Sequence, residues 1–109
     1  MKYRLLGKTG IEISEIGFGT WGIGGTTTDG ANSYSATDDT VSLSALNRAL
    51  EVGITFYDTS NIYGYGHAEE LLAKAFKGRR DKVVIASKVG FVKHGRPWQL
   101  DSAYVRSEL

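Results

Sequence analysis

Polar and apolar residues alternate around a short glycine-containing turn near the start of the chain. Residues 3–6 and 11–14 flank a Gly-Lys-Thr-Gly segment, and the stretch Ile-Glu-Ile-Ser on its far side alternates strictly. A period of two is typical of a strand with one buried face. The pattern therefore predicts a β-hairpin over residues 1–14.

Two later stretches carry apolar residues at helical spacing. The clearer one has apolar side chains at i, i+3, i+4, i+7 and i+8, namely Ala68, Leu71, Leu72, Ala75 and Phe76,. The other is predicted to begin at Thr37 or Asp38, since either side chain can accept from exposed backbone N–H groups, and to end at Gly53,. A further helix is predicted to start at Asp101 or Ser102,.

Three short apolar stretches alternate with these helices. They cover residues 16–21, 54–57 and 83–86, and the last is an unbroken Val-Val-Ile-Ala, which is typical of a strand covered on both faces,. Strands that alternate with helices indicate an α/β fold with right-handed crossovers and a parallel sheet. A loop rich in Gly, Ser and Thr separates the first strand from its helix over residues 22–37, and loops of this length are usually functional or mobile,.

Composition excludes several classes of function. The 109 residues suffice for one domain at most, and 13 basic against 12 acidic residues are too balanced for a nucleic-acid or membrane-surface binder,. The chain has no cysteine and two separated histidines, His67 and His94, so no metal site is expected,. No apolar stretch has the length of a signal peptide or membrane span, and a cytoplasmic protein is expected.

Two glycine motifs resemble phosphate-binding sequences, and neither is complete. The Gly-Lys-Thr segment starting at Gly7 lacks the upstream glycine of a phosphate loop, because Lys2 stands there, so a hairpin turn is the better interpretation,. The series Gly17, Gly19 and Gly22 has dinucleotide-binding spacing, but no helix is predicted to open at its third glycine,. The alternative interpretation is that these glycines let the backbone bend close to a ligand or a neighbouring strand.

Reactive side chains stand where the predicted strands end. Thr20 and Trp21 end the first strand, Asp58 directly follows the second and Lys88 lies just beyond the third. Functional groups of parallel α/β folds gather at this carboxyl edge. Neighbouring strands lie about 4.8 Å apart, so Asp58 and Lys88 are predicted to form an ion pair, over which Tyr63 can fold.

A carboxylate, an ammonium and a phenol in this arrangement suit the reduction of a carbonyl group. An ammonium beside a phenol favours the phenolate, and such a phenol can give its proton to a developing alkoxide near neutral pH. The alternative is purely structural. Asp–Lys pairs at strand ends are often surface pairs worth less than about 1 kcal/mol, and Tyr63 can simply pack on the following helix.

Four motifs, in this order, resemble the aldo-keto reductases: Gly-Phe-Gly-Thr-Trp over 17–21, Phe-Tyr-Asp-Thr-Ser-x-x-Tyr-Gly over 56–64, Glu-Glu at 69–70 and Ala-Ser-Lys-Val-Gly over 86–90. The resemblance implies a (β/α)8 TIM barrel preceded by a β-hairpin. Residues 1–109 would then form part of that barrel, with the hairpin at 1–14 and the first three barrel strands with their helices over 15–109, truncated before the fourth strand. It also implies NADPH-dependent reduction of an aldehyde or ketone to an alcohol, or the reverse, with a sugar, a small aldehyde or a ketone all open as the substrate.

The same resemblance implies a role for each strand-end residue. Tyr63 would be the proton donor, Lys88 the ammonium that tunes it, and Asp58 the support for Lys88. Thr20 and Trp21 would line the nicotinamide end of the cofactor site, with Asp58 near the nicotinamide ribose.

Other features of the family pattern have no counterpart in this sequence. The family's catalytic histidine follows the fourth barrel strand, and neither His67, expected to be solvated or to cap its helix, nor His94 corresponds to it. The groups that bind the cofactor phosphates come from the second half of the barrel. The alternative is therefore an inactive truncated fragment or a non-enzymatic binding or regulatory remnant of the same fold, and unpaired sheet edges predict self-association.

Overall fold

A computed structural model describes residues 1–26, 35–90 and 100–107, which form two sheets and three helices. The strands are β1 (Tyr3–Leu5), β2 (Glu12–Ser14), β3 (Gly17–Gly19), β4 (Phe56–Asp58) and β5 (Val84–Ala86). The helices are α1 (Asp39–Glu51), α2 (His67–Ala75) and α3 (Ser102–Ser107), and short 3-10 turns cover Trp21–Ile23 and Arg80–Lys82. No helix within these described ranges is long and apolar enough to span a bilayer.

The predicted hairpin is present and is fastened to the start of β4. Strands β1 and β2 pair antiparallel, with Tyr3 opposite Ser14. The Ser14 N–H donates to the Thr55 hydroxyl oxygen (3.0 Å), and the Thr55 N–H donates in return to the Ser14 hydroxyl oxygen (2.9 Å). The Tyr3 hydroxyl donates to the Gly53 carbonyl (3.1 Å). These bonds seat the hairpin at the amino end of the second sheet.

In this structure the two glycine motifs form turns and allow close packing of strands. In the hairpin turn, the Thr9 hydroxyl donates to the Leu6 carbonyl (2.6 Å). Gly22 lies in a 3-10 turn rather than at the start of an α-helix. At Gly17, an added Cβ would lie 2.9 Å from Phe56 Cδ1, so this glycine allows β3 to pack closely against the next strand.

Helix α1 begins and ends with the residues that its sequence favours. The Asp38 carboxylate caps it, accepting from the N–H groups of Thr40 (2.7 Å) and Val41 (3.2 Å). Hydrogen bonds from the Val41 and Thr40 backbone hold the pKa of Asp38 below its usual value,. Gly53 then adopts a left-handed φ of +92°, which a glycine tolerates just beyond a helix,.

The core lies between the parallel sheet and helices α1 and α2, with Tyr57 at its centre. Tyr57 is fully buried, its ring centre lies 4.6 Å from that of Phe76, and its hydroxyl donates to the Ile54 carbonyl (2.9 Å). Burial raises the pKa of Tyr57 to about 12. The other buried members of this cluster are Leu46, Ala49, Leu71, Leu72, Ala75 and Val83.

The second sheet is parallel, as predicted, with the order β3-β4-β5. Gly19 is in register with Asp58, and Asp58 with Ala86, so the three strands end at one level. Strand β5 is half-buried instead of covered on both faces. Ile85 packs against the buried core cluster, and within the described residues β5 has a neighbouring strand along one edge only, so part of its surface stays open.

We expect the isolated 109-residue chain to self-associate. Both β3 and β5 present one unpaired edge among the described residues, and an apolar unpaired edge is a template for strand addition,. Sedimentation velocity over a micromolar concentration series should show species heavier than the 11.9 kDa monomer. A compact monomer at every concentration, with a cooperative thermal transition, would contradict this expectation.

Candidate active site

An ion pair joins the ends of β4 and β5. The Lys88 ammonium lies 2.8 Å and 2.9 Å from the two carboxylate oxygens of Asp58, and it donates to the Thr59 carbonyl (2.9 Å). Three oxygen acceptors therefore fix its position. The side chains of Lys88 and Asp58 are 53% and 46% exposed, so the pair faces solvent at the carboxyl edge of the sheet.

The surroundings of Lys88 favour its charged form. Partial burial acts to lower the pKa of Lys88, but hydrogen bonding to Asp58, the charge of Asp58, and the interactions with Tyr63 together raise it above the ordinary value,. Lys88 is consequently a stable cation at neutral pH.

Tyr63 lies beside this cation, as its spacing from Asp58 predicted. The Lys88 ammonium is 5.3 Å from the centre of the Tyr63 ring. The Trp21 ring is stacked on the Tyr63 ring, with 6.2 Å between ring centres and 22° between ring planes. The Trp21 side chain is 43% exposed, so part of its ring faces solvent. The structure thus brings together Trp21, Asp58, Tyr63 and Lys88.

Thr20 is positioned differently from the other four residues. It is fully buried, and both its N–H (2.9 Å) and its hydroxyl (3.0 Å) donate to the Asp58 carbonyl. Thr20 therefore ties the end of β3 to the end of β4. A direct contact between Thr20 and a cofactor stays a prediction.

The loop that carries Tyr63 has an unusual backbone. Gly64, Tyr65 and Gly66 have φ values of +63°, +51° and +94°, and Tyr65 is the only non-glycine residue of the described chain with a positive φ. A side chain disfavours this left-handed conformation. Helix α2 starts immediately afterwards at His67.

Two contacts next to this loop were not foreseen from the sequence. Gly24 packs directly against the Tyr63–Gly64 peptide. His67, expected to be solvated or to cap its helix, instead places Nε2 2.7 Å from Asp39 Oδ1 at the start of α1. The two glycines flanking Tyr65 were a signal of unusual backbone, but nothing in the sequence pairs His67 with a residue 28 positions away. His94 lies outside the described residues.

Comparison with known proteins shows the family of this chain. Residues 15–109 match the sequence pattern of the Aldo/keto reductase family. The chain belongs to the aldo/keto reductase family. The predicted fold class is confirmed, because its structural relatives in this family are (β/α)8 barrels whose first part this chain matches.

Several members of the aldo/keto reductase family are similar to this chain. The Bacillus subtilis (strain 168) aldo-keto reductase YhdN is 46% identical over 90 residues, covering 81% of this chain and 25% of the relative. The holo form of AKR11C1 from Bacillus halodurans is 33% identical, covering 99% of this chain and 34% of that one, with a TM-score of 0.77. A Klebsiella pneumoniae aldo-keto reductase in complex with NADPH is 33% identical, covering 72% and 24%, with a TM-score of 0.58. The chain thus spans about a quarter to a third of the length of these relatives.

We expect Asp58→Asn to lower the pKa of Lys88. The hydrogen bond and charge of Asp58 raise that pKa against the opposing effect of burial, which would remain in the variant. In the wild type, the stabilisation from this pair is present below the unfolded lysine pKa of about 10.4 and is lost as the pH rises through the higher folded value. The titration is measured by NMR of 13C-dimethylated lysines, with Lys88→Arg identifying the Lys88 signal.

The titration is measured in a hybrid barrel, in which this chain replaces the matching part of the Bacillus subtilis aldo-keto reductase YhdN. The matched control is Glu51→Gln, which removes an exposed carboxylate that pairs with Arg48 at the far end of α1. That variant should leave the Lys88 titration unchanged. An unchanged Lys88 titration in Asp58→Asn would contradict the assignment of Asp58 as the group that raises the Lys88 pKa.

Proposed function

We propose that this chain supplies the proton-donating part of the active site of an NADPH-dependent aldo-keto reductase, with Tyr63 as the proton donor. The observation that supports the proposal is the position of Lys88, which three acceptor oxygens hold 5.3 Å from the centre of the Tyr63 ring. Exposed ion pairs contribute only about 0.2–1 kcal/mol to stability. Folding alone therefore gives little reason to fix a cation beside a half-buried phenol.

Carbonyl reduction needs a hydride at carbon and a proton at oxygen. NADPH, when bound, supplies the hydride. The Tyr63 hydroxyl donates its proton to the carbonyl oxygen as negative charge develops there, and the Lys88 ammonium stabilises the phenolate that remains. Asp58 keeps Lys88 in place and protonated. In the reverse direction the Tyr63 phenolate accepts the proton of the alcohol.

The described residues fit the nicotinamide end of such a cofactor. Trp21 offers a partly exposed aromatic face, and the Asp58 carboxylate is half-exposed, able to accept from a ribose hydroxyl. At Gly19, in register with Asp58, an added Cβ would meet nothing within 4 Å, so open space adjoins the carboxylate. The NADPH complex of the Klebsiella relative supports this choice of cofactor. This end of the site would be formed by Trp21 and Asp58. Thr20 would contribute by fixing the end of β4 through its hydrogen bonds to the Asp58 carbonyl.

Tyr63→Phe in the hybrid barrel should abolish most carbonyl reduction without weakening NADPH binding. The phenol acts on the substrate oxygen, so its loss should appear in kcat, and general acid catalysis typically contributes about 10²–10⁴-fold. Steady-state kinetics with an aldehyde substrate measure kcat, and fluorescence titration measures the NADPH Kd. Tyr3→Phe, which removes a hydroxyl in the hairpin at the opposite end of β4, is the matched control and should retain most activity.

Lys88→Met provides the second arm of the same experiment. It should reduce kcat comparably, because the phenolate loses its cation and Asp58 its partner. Lys82→Met makes the same change at an exposed lysine and should behave as wild type. If Tyr63→Phe kept half of the wild-type kcat where chemistry limits turnover, the proton-donor role would be wrong.

The 109-residue chain by itself should not bind NADPH tightly. Charge-assisted bonds to phosphates supply much of a dinucleotide's affinity, and the resemblance places those groups in the later part of the barrel. Trp21 emission in a Trp98→Phe background reports binding beside Tyr63. Its titration with NADPH should show no saturable quenching below about millimolar concentration. Saturation at micromolar NADPH would favour the alternative, an independent nucleotide-binding module.

A further inference from the structure

The position of the Tyr63 phenol depends on contacts from outside its own loop. Tyr63 is followed by three consecutive residues, Gly64 to Gly66, in the left-handed conformation, including the non-glycine Tyr65. Backbone of this kind persists only where the surrounding structure holds it. The groups that hold the segment therefore also determine where the phenol lies relative to Lys88.

Gly24 makes the closest of these contacts. Its own conformation (φ −67°, ψ −19°) is right-handed and open to any residue, so its backbone does not require glycine,. A Cβ at this position would nevertheless lie 2.9 Å from the Tyr63 carbonyl carbon, 3.0 Å from the Gly64 nitrogen and 3.1 Å from the Tyr63 carbonyl oxygen. Glycine is required here by the neighbouring peptide, which leaves no space for a side chain.

The fit is even tighter from the other side. A Cβ at Gly64 would collide with the Gly24 carbonyl oxygen and would lie 3.0 Å from His67 Cβ. The two glycines thus allow the loop after β3 and the loop after β4 to touch backbone to backbone. The Trp21 ring, three residues before Gly24, is stacked on Tyr63 as part of the same contact between loops.

A second connection secures the far end of the left-handed segment. His67 Nε2–H donates to Asp39 Oδ1 (2.7 Å), which links the first residue of α2 to the first residue of α1. His67, Asp39, Gly24 and Gly64 line one surface recess. The segment that follows Tyr63 is accordingly held at its beginning by Gly24 and at its end by Asp39.

We propose that Gly24 and the Asp39–His67 pair are positioning residues that fix the Gly64–Gly66 segment and thereby hold the Tyr63 phenol beside Lys88. The proposal rests on the proposed role of Tyr63 as the proton donor. These residues act through the Tyr63 loop and not on the reacting atoms. Their loss should therefore lower kcat while leaving the apparent affinity for NADPH nearly unchanged.

Gly24→Ala in the hybrid barrel is the principal test. The added methyl must displace the Tyr63–Gly64 peptide, and since a 1 Å misplacement in an active site can cost about 10²-fold, kcat should fall by roughly 10- to 100-fold. The KM for NADPH should change by less than about twofold, since binding interactions that are kept leave KM unchanged. Circular dichroism in the far ultraviolet should show an intact fold.

Asp39 supplies an independent test with a conservative rescue. Asp39→Ala removes the acceptor for His67 and should lower kcat by about three- to fivefold, the scale of an exposed pair. Asp39→Asn keeps an oxygen acceptor and should restore most of the loss. Glu51→Gln breaks an ion pair with Arg48 on the same helix, away from the loop, and should leave kcat unchanged.

Near-ultraviolet circular dichroism gives a readout that does not depend on activity. The difference between wild type and Tyr63→Phe defines the signal of the Trp21–Tyr63 stack, and Gly24→Ala and Asp39→Ala should both weaken it. Where Tyr63→Phe is inactive, the proposal is overturned if both variants keep the wild-type kcat, and where Tyr63→Phe is active it is overturned if both keep this signal. If Gly24→Ala fails to fold, the Asp39 variants decide by the same criteria.

The same measurements separate failure of this proposal from failure of the proposed function. A Tyr63→Phe variant with wild-type kcat would refute the proton-donor role, while the aromatic signal would still show whether Gly24 and Asp39 hold the ring. An inactive Tyr63→Phe variant beside fully active Gly24→Ala and Asp39→Ala variants would refute the positioning role alone.

Discussion

The parallel register of β3, β4 and β5 is the constraint on which the candidate site depends. Gly19, Asp58 and Ala86 are paired at one level, so the residues that follow each strand emerge together. The pairing continues past the strands, where the Thr59 N–H donates to the Ala86 carbonyl (2.8 Å). A shift of one residue in β4 would turn the Asp58 side chain to the opposite face of the sheet and away from Lys88.

Strand β4 contributes a residue to the core and a residue to the candidate site. Successive strand residues point to opposite faces, and in β4 the fully buried Tyr57 directly precedes the half-exposed Asp58,. Aromatic packing of Tyr57 on Phe76 holds β4 against the helices. The carboxylate therefore sits on a rigid element, whereas Tyr63 sits on a loop that needs support from Gly24 and from the start of α1.

Features with a local cause could be predicted from the sequence. The amphipathic spacing predicted α2, and the capping preference of Asp38 predicted the start of α1. The positions of the strand ends predicted that Asp58 and Lys88 would form an ion pair. The burial of β5 was overestimated because it depends on neighbours that lie outside its own sequence. The middle of the predicted 22–37 loop and His94 lie outside the described residues.

Contacts between residues far apart in the chain could not be predicted in this way. The bonds between Ser14 and Thr55, the approach of Gly24 to Gly64, and the Asp39–His67 pair each join segments with no shared periodicity. Glycine at position 24 carries no local signal, because its own φ and ψ are ordinary. The need for glycine at this position follows only from the nearby Tyr63–Gly64 peptide, which belongs to a different loop.

The hairpin and the ion pair occupy opposite ends of β4. The hairpin bonds to Thr55 and Gly53, before the strand, whereas Lys88 bonds to Asp58 and Thr59 at its other end. The three residues of β4 therefore separate the hairpin contacts from the ion pair. A change that strengthens the hairpin contact therefore alters the ion pair only if it also shifts the register of β4,.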